Sequence, residues 1–327
     1  MLGKPCWSSY EMYPISGYFS KLGAHLTMLS DCGRIKFYEN ALKKAIIPNK
    51  SVVLDIGTGT GILAMIAAKY GAKKVYAIEC GDIINLAKRI IKDNGLDEKI
   101  ELIKGLSTEV NLPEKVDIIV SETMGFTGLE ENIEEIMDDA KKRFSKENTI
   151  FIPDNISVFV APCTDSDVRK KLIDVWEKSF YGFDFSFLSK LSKQNIFTRQ
   201  RVSNSEIISK PKVIYSAALG GGRSFRKQVI FSVEDDSTVE GLVGWFSVAS
   251  QHSIHLSSFD FGRNGHWQQF FVPLRNPIRV KRGENFIVKL SRGQPFQWKV
   301  LHVKNDGTSE KISIQNDVVM KTLKGIK

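Results

Sequence analysis

A strand that runs without interruption into a glycine turn and then a helix sets most of what this chain can become. Val53-Leu54-Asp55-Ile56-Gly57-Thr58-Gly59-Thr60-Gly61-Ile62-Leu63 contains all three parts. Val52 to Leu54 is an apolar strand end, and Ile62 to Tyr70 is apolar enough for a helix packed on a sheet. Glycines at every second position remove β-carbons where the backbone must lie close to a ligand. In open α/β sheets such a turn sits at the carboxyl ends of the strands, where ligands bind. The spacing is G-x-G-x-G rather than the G-x-G-x-x-G of a dinucleotide fold. Asp55, directly before the turn, would repel a pyrophosphate but suits a ligand carrying an ammonium group. The next apolar strand, Lys74 to Ile78, ends in Glu79, placed to accept ribose hydroxyls. Together these residues favour S-adenosylmethionine over NAD.

The chain around this turn alternates. Strands are expected at 51–55, 74–79, 100–103 and 116–120, with helices at 33–46, 61–70, 81–94 and 129–144, the signature of a doubly wound parallel sheet. Past Pro153 the texture changes to short strands separated by Gly, Asn, Asp and Ser, which reads as a β-sandwich or β-barrel. Within that region Tyr181 to Pro211 shows little alternation and many Phe, Ser and Lys. A stretch of that length without periodicity is usually functional or an interaction arm. The expected organisation is an N-terminal segment over 1–48, an α/β domain over 49–152 and a β domain over 153–327, with the arm at about 181–211.

Composition narrows the class. No apolar run has membrane-spanning length. The four cysteines, Cys6, Cys32, Cys80 and Cys163, are scattered, which points to a reducing, cytoplasmic setting, and neither they nor the histidines give a metal pattern. The net charge of +9 is uneven: residues 1–150 hold 20 Lys and Arg against 21 Asp and Glu, and residues 151–327 hold 26 against 16. A basic half can attract nucleic acid. Without a dense basic run interleaved with aromatics, a solvated basic surface is the better reading and a nucleic-acid partner is not expected.

The chemistry gathers at another strand end. After Val116 to Val120 comes Ser121-Glu122-Thr123-Met124-Gly125-Phe126-Thr127-Gly128-Leu129-Glu130-Glu131. Glu122 lies where α/β enzymes keep site residues. Gly125 and Gly128 let the chain turn back, and Glu131 falls near the start of an acidic helix whose dipole favours its charge. Two carboxylates joined by such a loop can hold a planar guanidinium through charged, bidentate hydrogen bonds. Glu130, Glu134, Glu135, Asp138 and Asp139 crowd the same helix, so on position alone Glu131 could equally be a solvent acid.

At this point the chain resembles the protein arginine methyltransferases over nearly its whole length. Val53 to Gly61 and Glu79-Cys80 look like that family's cofactor motifs, and Ser121-Glu122 through Glu131 like its double-glutamate loop. Asn264-Gly265-His266-Trp267-Gln268-Gln269 resembles its threonine-histidine-tryptophan loop. Trp176 to Asp184 resembles the entry to its dimerisation arm, and His25-x-x-Met28-Leu29-x-Asp31-x-x-Arg34 its N-terminal helix. The resemblance implies a Rossmann-like doubly wound methyltransferase domain followed by a β-barrel domain that carries a dimerisation arm and makes a homodimer. It implies S-adenosyl-L-methionine bound by Arg34, Asp55, Gly57, Thr58, Gly59, Gly61, Glu79, Cys80 and Glu109, with Arg34 on the cofactor carboxylate. Glu122 and Glu131 would grip the guanidinium, His266 would pair with Asp31, and Met28, Met124 and Trp267 would line the substrate pocket. No metal is implied. The chain departs from the family at Thr123, where tryptophan is usual, at Gly265 for threonine, at Ile133 for methionine and at Thr108 for a cofactor-contacting glutamate.

The implied reaction is N-methylation of arginine in a protein. The basic C-terminal half is a poor match for basic protein tails, so free L-arginine or a small guanidino metabolite is the alternative acceptor. A non-catalytic RNA-binding methyltransferase fold is a further alternative, against which the intact Asp55, Glu79, Glu122 and Glu131 argue.

Overall fold

The computed structural model describes residues 22–164, 166–225, 228–251, 254–259, 265–291 and 297–313. The first part of the N-terminal segment and Asn264 lie outside the described residues. The chain forms two compact units, one of residues 1–156, 217–223 and 247–266, the other of 157–216, 224–246 and 267–327. Two later segments therefore return to the first unit, which a single boundary near residue 152 did not anticipate.

The first unit opens with helices α1 (Leu22–Ser30) and α2 (Cys32–Ala45). Asp31 separates them as the N-cap of α2, its Oδ1 accepting from the Arg34 amide at 2.9 Å. Then follow β1 (Val52–Ile56), α3 (Ile62–Lys69), β2 (Lys74–Glu79), α4 (Ile84–Asp93), β3 (Ile100–Lys104), β4 (Val116–Ser121), α5 (Ile133–Phe144) and β5 (Ser145–Ile152). The strands pair in parallel in the order β3-β2-β1-β4-β5. Every residue of β1 is buried, as a central strand covered on both faces must be. The order reverses between β1 and β4, so their carboxyl ends flank the crevice where such sheets bind ligands.

Two differences from the sequence reading have physical causes. The first half of β5, Ser145-Lys146-Glu147-Asn148, is polar and mostly exposed, which hid the fifth strand. Helix α5 begins at Ile133 rather than 129, because Asn132 takes a left-handed conformation at φ 60° and holds the acids before it in a turn.

Beyond β5 the chain gives β6 (Asn155–Cys163), α6 (Ser166–Leu172), the hairpin β7 (Ser179–Phe180) and β8 (Phe183–Asp184), α7 (Phe187–Ser192), β9 (Phe197–Gln200), β10 (Lys212–Ala218) and β11 (Gly222–Phe225). It ends in β12 (Gln228–Ser232), β13 (Ser237–Ser250), β14 (Ile254–Ser257), β15 (Gln269–Val280), β16 (Asn285–Ser291), β17 (Gln297–Val303) and β18 (Ser309–Ser313). One sheet runs β11-β10-β6-β13-β15-β9, with β14 on β13; another runs β12-β16-β17-β18. The β13–β15 and β16–β17 pairs are antiparallel. Phe231, Phe246, Phe270, Phe271 and Phe286 are fully buried in this second unit. Its hairpin β7–β8 turns through Tyr181 and Gly182, both at positive φ, as a two-residue hairpin loop requires. Within residues 181–211, β9 pairs with β15.

Candidate active site

The glycine turn is tied down from β2. The amides of Gly57 and Thr58 both donate to Ile78 O, at 2.9 and 3.0 Å. Gly57 has φ 75°, and a β-carbon there would lie 2.9 Å from Thr123 Cγ2, so only glycine lets the turn meet the end of β4. Glu79 accepts from the Gly59 amide at 3.0 Å and the Gly81 amide at 2.6 Å. One N–H on each oxygen leaves lone pairs for hydroxyl donors.

Asp55 sits inside β1, fully buried. Its Oδ2 accepts from Thr58 Oγ1 at 2.6 Å and from the Ala64 amide at 3.1 Å, an orphan donor of the first turn of α3. Its Oδ1 has no hydrogen-bond partner among the described residues. Burial pushes the carboxyl up to about 7, and the bonds from Thr58 and Ala64 only partly oppose it. A buried carboxylate oxygen without a donor beside a glycine turn suits a ligand ammonium group. S-adenosylmethionine therefore fits Asp55, Glu79 and Gly57 through Gly61 on chemical grounds. Cys80 follows Glu79 half-buried, whereas Glu109 is exposed after β3, its amide bonded to Leu106 O.

At the end of β4, Ser121 is fully buried and donates to Ile56 O at 2.9 Å, linking β4 to β1 just before the glycine turn. Tyr38 on α2, fully buried, donates to Ser121 O at 3.1 Å. Glu122 then meets Arg34, whose Nη2 donates to Glu122 Oε2; the side chains are 6% and 9% exposed. Arg34 Nη1 also donates to Met28 O at 2.9 Å. Burial is the largest single influence on Arg34 and would lower its pKa, but the charge and hydrogen bond of Glu122, with smaller help from Tyr38 and Asp31, together outweigh it and raise the guanidinium's pKa. Burial raises Glu122, with Arg34 opposing, and raises Tyr38 further, helped by the Glu122 charge.

Glu131 lies across the loop, half-buried. Desolvation, and after it the charges of Glu122 and Glu130, push it well above the usual carboxylate range, so the two acids share one electrostatic neighbourhood. Asp31 accepts twice: from the Arg34 amide and, at 2.7 Å through Oδ2, from the backbone amide of His266. The expected His266–Asp31 pairing thus runs through the His266 main chain, and the His266 ring lies 5.8 Å from that of Phe126. Met28 and Met124 are buried. Trp267 is fully buried in the second unit, edge-on to Phe246.

The structure brings together Asp31, Arg34, Glu122 and Glu131 around the end of β4, and Asp55 and Glu79 around the end of β1. Sequence reading missed Tyr38, and it named Ser121 and His25 as motif positions without a role; the His25 ring covers Gly59, 3.4 Å from where a β-carbon would lie. The i, i+4 spacing of Arg34 and Tyr38 on one helix face was the available signal.

Comparison with known proteins agrees with this fold. Residues 34–156 match the family model described as ribosomal protein L11 methyltransferase, and residues 154–298 match that described as arginine methyltransferase oligomerization subdomain. Protein arginine N-methyltransferase 1.1 of Arabidopsis thaliana is 32% identical over 283 residues, covering 84% of this chain and 72% of that protein. Protein arginine N-methyltransferase 1 of Chlamydomonas reinhardtii is also 32% identical, over 83% of this chain and 81% of its own. Among solved structures, the Trypanosoma brucei PRMT1 enzyme–prozyme heterotetrameric complex with AdoHcy superposes with TM-score 0.77 at 27% identity, covering 90% of this chain and 98% of that one. Arabidopsis thaliana protein arginine methyltransferase 10 gives TM-score 0.76 at 26% identity, over 90% and 97%.

Proposed function

This chain belongs to the protein arginine N-methyltransferase family, and from that premise and the buried acids we propose that it moves a methyl group from S-adenosylmethionine to a guanidino nitrogen of arginine in a protein. The observation that carries the reading is Glu122, an acid at a strand end that holds a guanidinium away from water. When bound, the cofactor supplies an electrophilic methyl on a sulfonium. Asp55, the glycine turn and Glu79 would hold the cofactor, and Arg34, which in the ligand-free protein donates to Glu122 and to Met28 O, would supply the positive charge for its carboxylate. Glu122 and Glu131 grip the acceptor guanidinium.

A guanidinium has a pKa above about 12 and delocalised lone pairs. Carboxylates on two of its nitrogens draw positive charge toward them and leave more lone-pair character on the attacking nitrogen. They also fix its direction. Orientation of two bound reactants is worth up to about 7–11 kcal/mol, so positioning outweighs proton removal. As the N–C bond forms the nitrogen becomes acidic, and Glu131, with its raised pKa, is suited to take the proton.

The active form in this proposal is a cytoplasmic homodimer. Tyr181 is 99% exposed and Phe183 69%, and Phe185 and Phe187 are exposed beside them, an apolar cluster that a second copy would cover. Free arginine is the second acceptor to test, because the basic charge of 151–327 opposes basic protein tails. Incubation with methyl-labelled S-adenosylmethionine, offering a glycine–arginine-rich peptide in one tube and free arginine in another, separates the two. Methylated peptide supports the proposal. Methylated free arginine alone moves the protein to small-molecule chemistry, and no product from either removes the reading.

A further inference from the structure

Glu130 and Glu131 are adjacent and equally charged, yet the loop treats them differently. Glu130 turns its carboxylate back into the loop. The Thr127 amide donates to both of its oxygens, at 2.9 and 3.0 Å, and the Leu129 amide donates to Oε2 at 3.2 Å. The Gly128 amide closes the same turn on Gly125 O at 3.0 Å. The Glu130 side chain packs so closely on Gly125 that a β-carbon there would lie 2.5 Å from its Oε2 and 2.8 Å from its Cβ. Glu131, by contrast, accepts no hydrogen bond among the described residues.

We propose that Glu130 is a positioning residue for the acceptor site: its carboxylate closes the 125–130 turn from inside and thereby sets Glu131, not itself, as the second acid beside Glu122. The proposal rests on the arginine methyltransferase reading and deepens it. Backbone amides that would otherwise need water are satisfied by a fixed anion. Burial raises the Glu130 carboxyl above its ordinary value, with the Thr127 and Leu129 amides opposing, and its charge, after desolvation and Glu122, adds to what holds Glu131 well above the usual range. Glu122 and Arg34 are the other charged groups facing Glu131. Gly125 and Glu130 work as a pair, since the turn exists only where the first leaves room for the second.

Two variants separate positioning from simple stability. Glu130→Gln keeps an acceptor oxygen for Thr127 but removes the charge. It should leave cofactor affinity unchanged and move the acid limb of the kcat/KM profile for a peptide acceptor to lower pH, because Glu131 loses a like-charged neighbour. Glu130→Ala removes the cap as well. A loosened loop should raise the acceptor KM and lower kcat/KM about tenfold to a hundredfold, the scale of a misplaced reacting group, again with cofactor affinity intact. Carbon-13 NMR of the Glu131 carboxyl, assigned with Glu131→Gln, reads the same shift without any turnover. A lower Glu131 pKa in Glu130→Gln, with weakened acceptor kinetics in Glu130→Ala, supports the proposal. An unchanged Glu131 titration, or an alanine variant with wild-type acceptor kinetics, overturns it. If the wild type methylates no arginine acceptor, the functional reading fails, while the titration still decides the role of Glu130.

Discussion

Asp55→Asn should remove a pH dependence of stability that the ligand-free protein carries inside β1. The Asp55 carboxyl is raised from 3.8 to about 7, chiefly by burial, and it is fully buried. A group whose folded pKa lies above its unfolded value binds its proton more tightly in the folded state. Its contribution is therefore fully present below about pH 4 and is lost as pH rises to about 7. At about 1.4 kcal/mol per pH unit the loss amounts to about 4 kcal/mol, a large part of a domain's usual margin of roughly 5–15 kcal/mol. Asparagine cannot ionise. Its amide would place N–H donors where Oδ1 has no partner, at a cost of about 1–3 kcal/mol that does not vary with pH.

The diagnostic quantity is thus a slope. Urea unfolding of both proteins without cofactor, from about pH 4 to about pH 8, should show wild type losing stability relative to Asp55→Asn across that window, since other titrating groups are common to both and cancel. Cofactor binding should reverse the effect, because an ammonium group beside Asp55 favours its charged form. Near pH 6 binding should release a proton, detectable by calorimetry in buffers of different ionisation enthalpy, and the variant should release none there. A wild-type-minus-variant difference that stays flat with pH would refute the argument, because burial would then not be holding the carboxyl protonated.

Glu122→Ala strands Arg34 as a buried charge and should cost about 3–5 kcal/mol in chemical unfolding; Glu122→Gln keeps an acceptor and should cost less, yet should nearly abolish methyl transfer while cofactor still binds. Gly57→Ala forces an L side chain to φ 75° against Thr123, a strain of about 1–3 kcal/mol that should weaken cofactor affinity in calorimetry. Adding Thr123→Ser, which lacks Cγ2, should recover part of that loss. If the proposed homodimer forms through the β7–β8 hairpin, Tyr181→Ser with Phe183→Ser should shift sedimentation toward monomer; a wild type that sediments as a monomer, or a variant that sediments like wild type, would refute that interface.

The α/β unit was legible because its strands are continuous apolar runs and its turns carry glycine, so Val52–Ile56 and Lys74–Glu79 fall within a residue of where patterning put them. β5 escaped notice because its polar half gives no period. The acids and their pairing across the loop were legible, but the cation that Glu122 meets was not. Nothing in the spacing says that Arg34 will turn onto Glu122, 88 residues away, since that contact depends on α2 packing against the end of β4. The choice of Glu131 over Glu130 came from the motif spacing, but the reason for it was hidden, because two adjacent acids look alike until the turn assigns its amides to Glu130.

Arg34 on Glu122 also constrains how an acceptor can bind. Without a ligand the end of β4 holds the Arg34 guanidinium against Glu122, so an acceptor gripped by both acids must share Glu122 with Arg34 or take it over as it meets Glu131. Desolvation, and after it the charges of Glu122 and Glu130, raise Glu131 well above the usual carboxylate range and so favour its protonated form until a ligand arrives. An arriving guanidinium reverses the balance, because a cation sharing a desolvated site favours the charged carboxylate. Acceptor binding must then expel a proton from Glu131, and the acceptor KM must fall as pH rises toward the raised pKa, where that proton is already gone. Calorimetry with a peptide acceptor and S-adenosylhomocysteine should show proton release that grows as pH drops into this range and disappears in Glu131→Gln. Zero release from wild type throughout would mean that the guanidinium never meets Glu131, and the double-acid grip would have to be abandoned in favour of Glu122 alone.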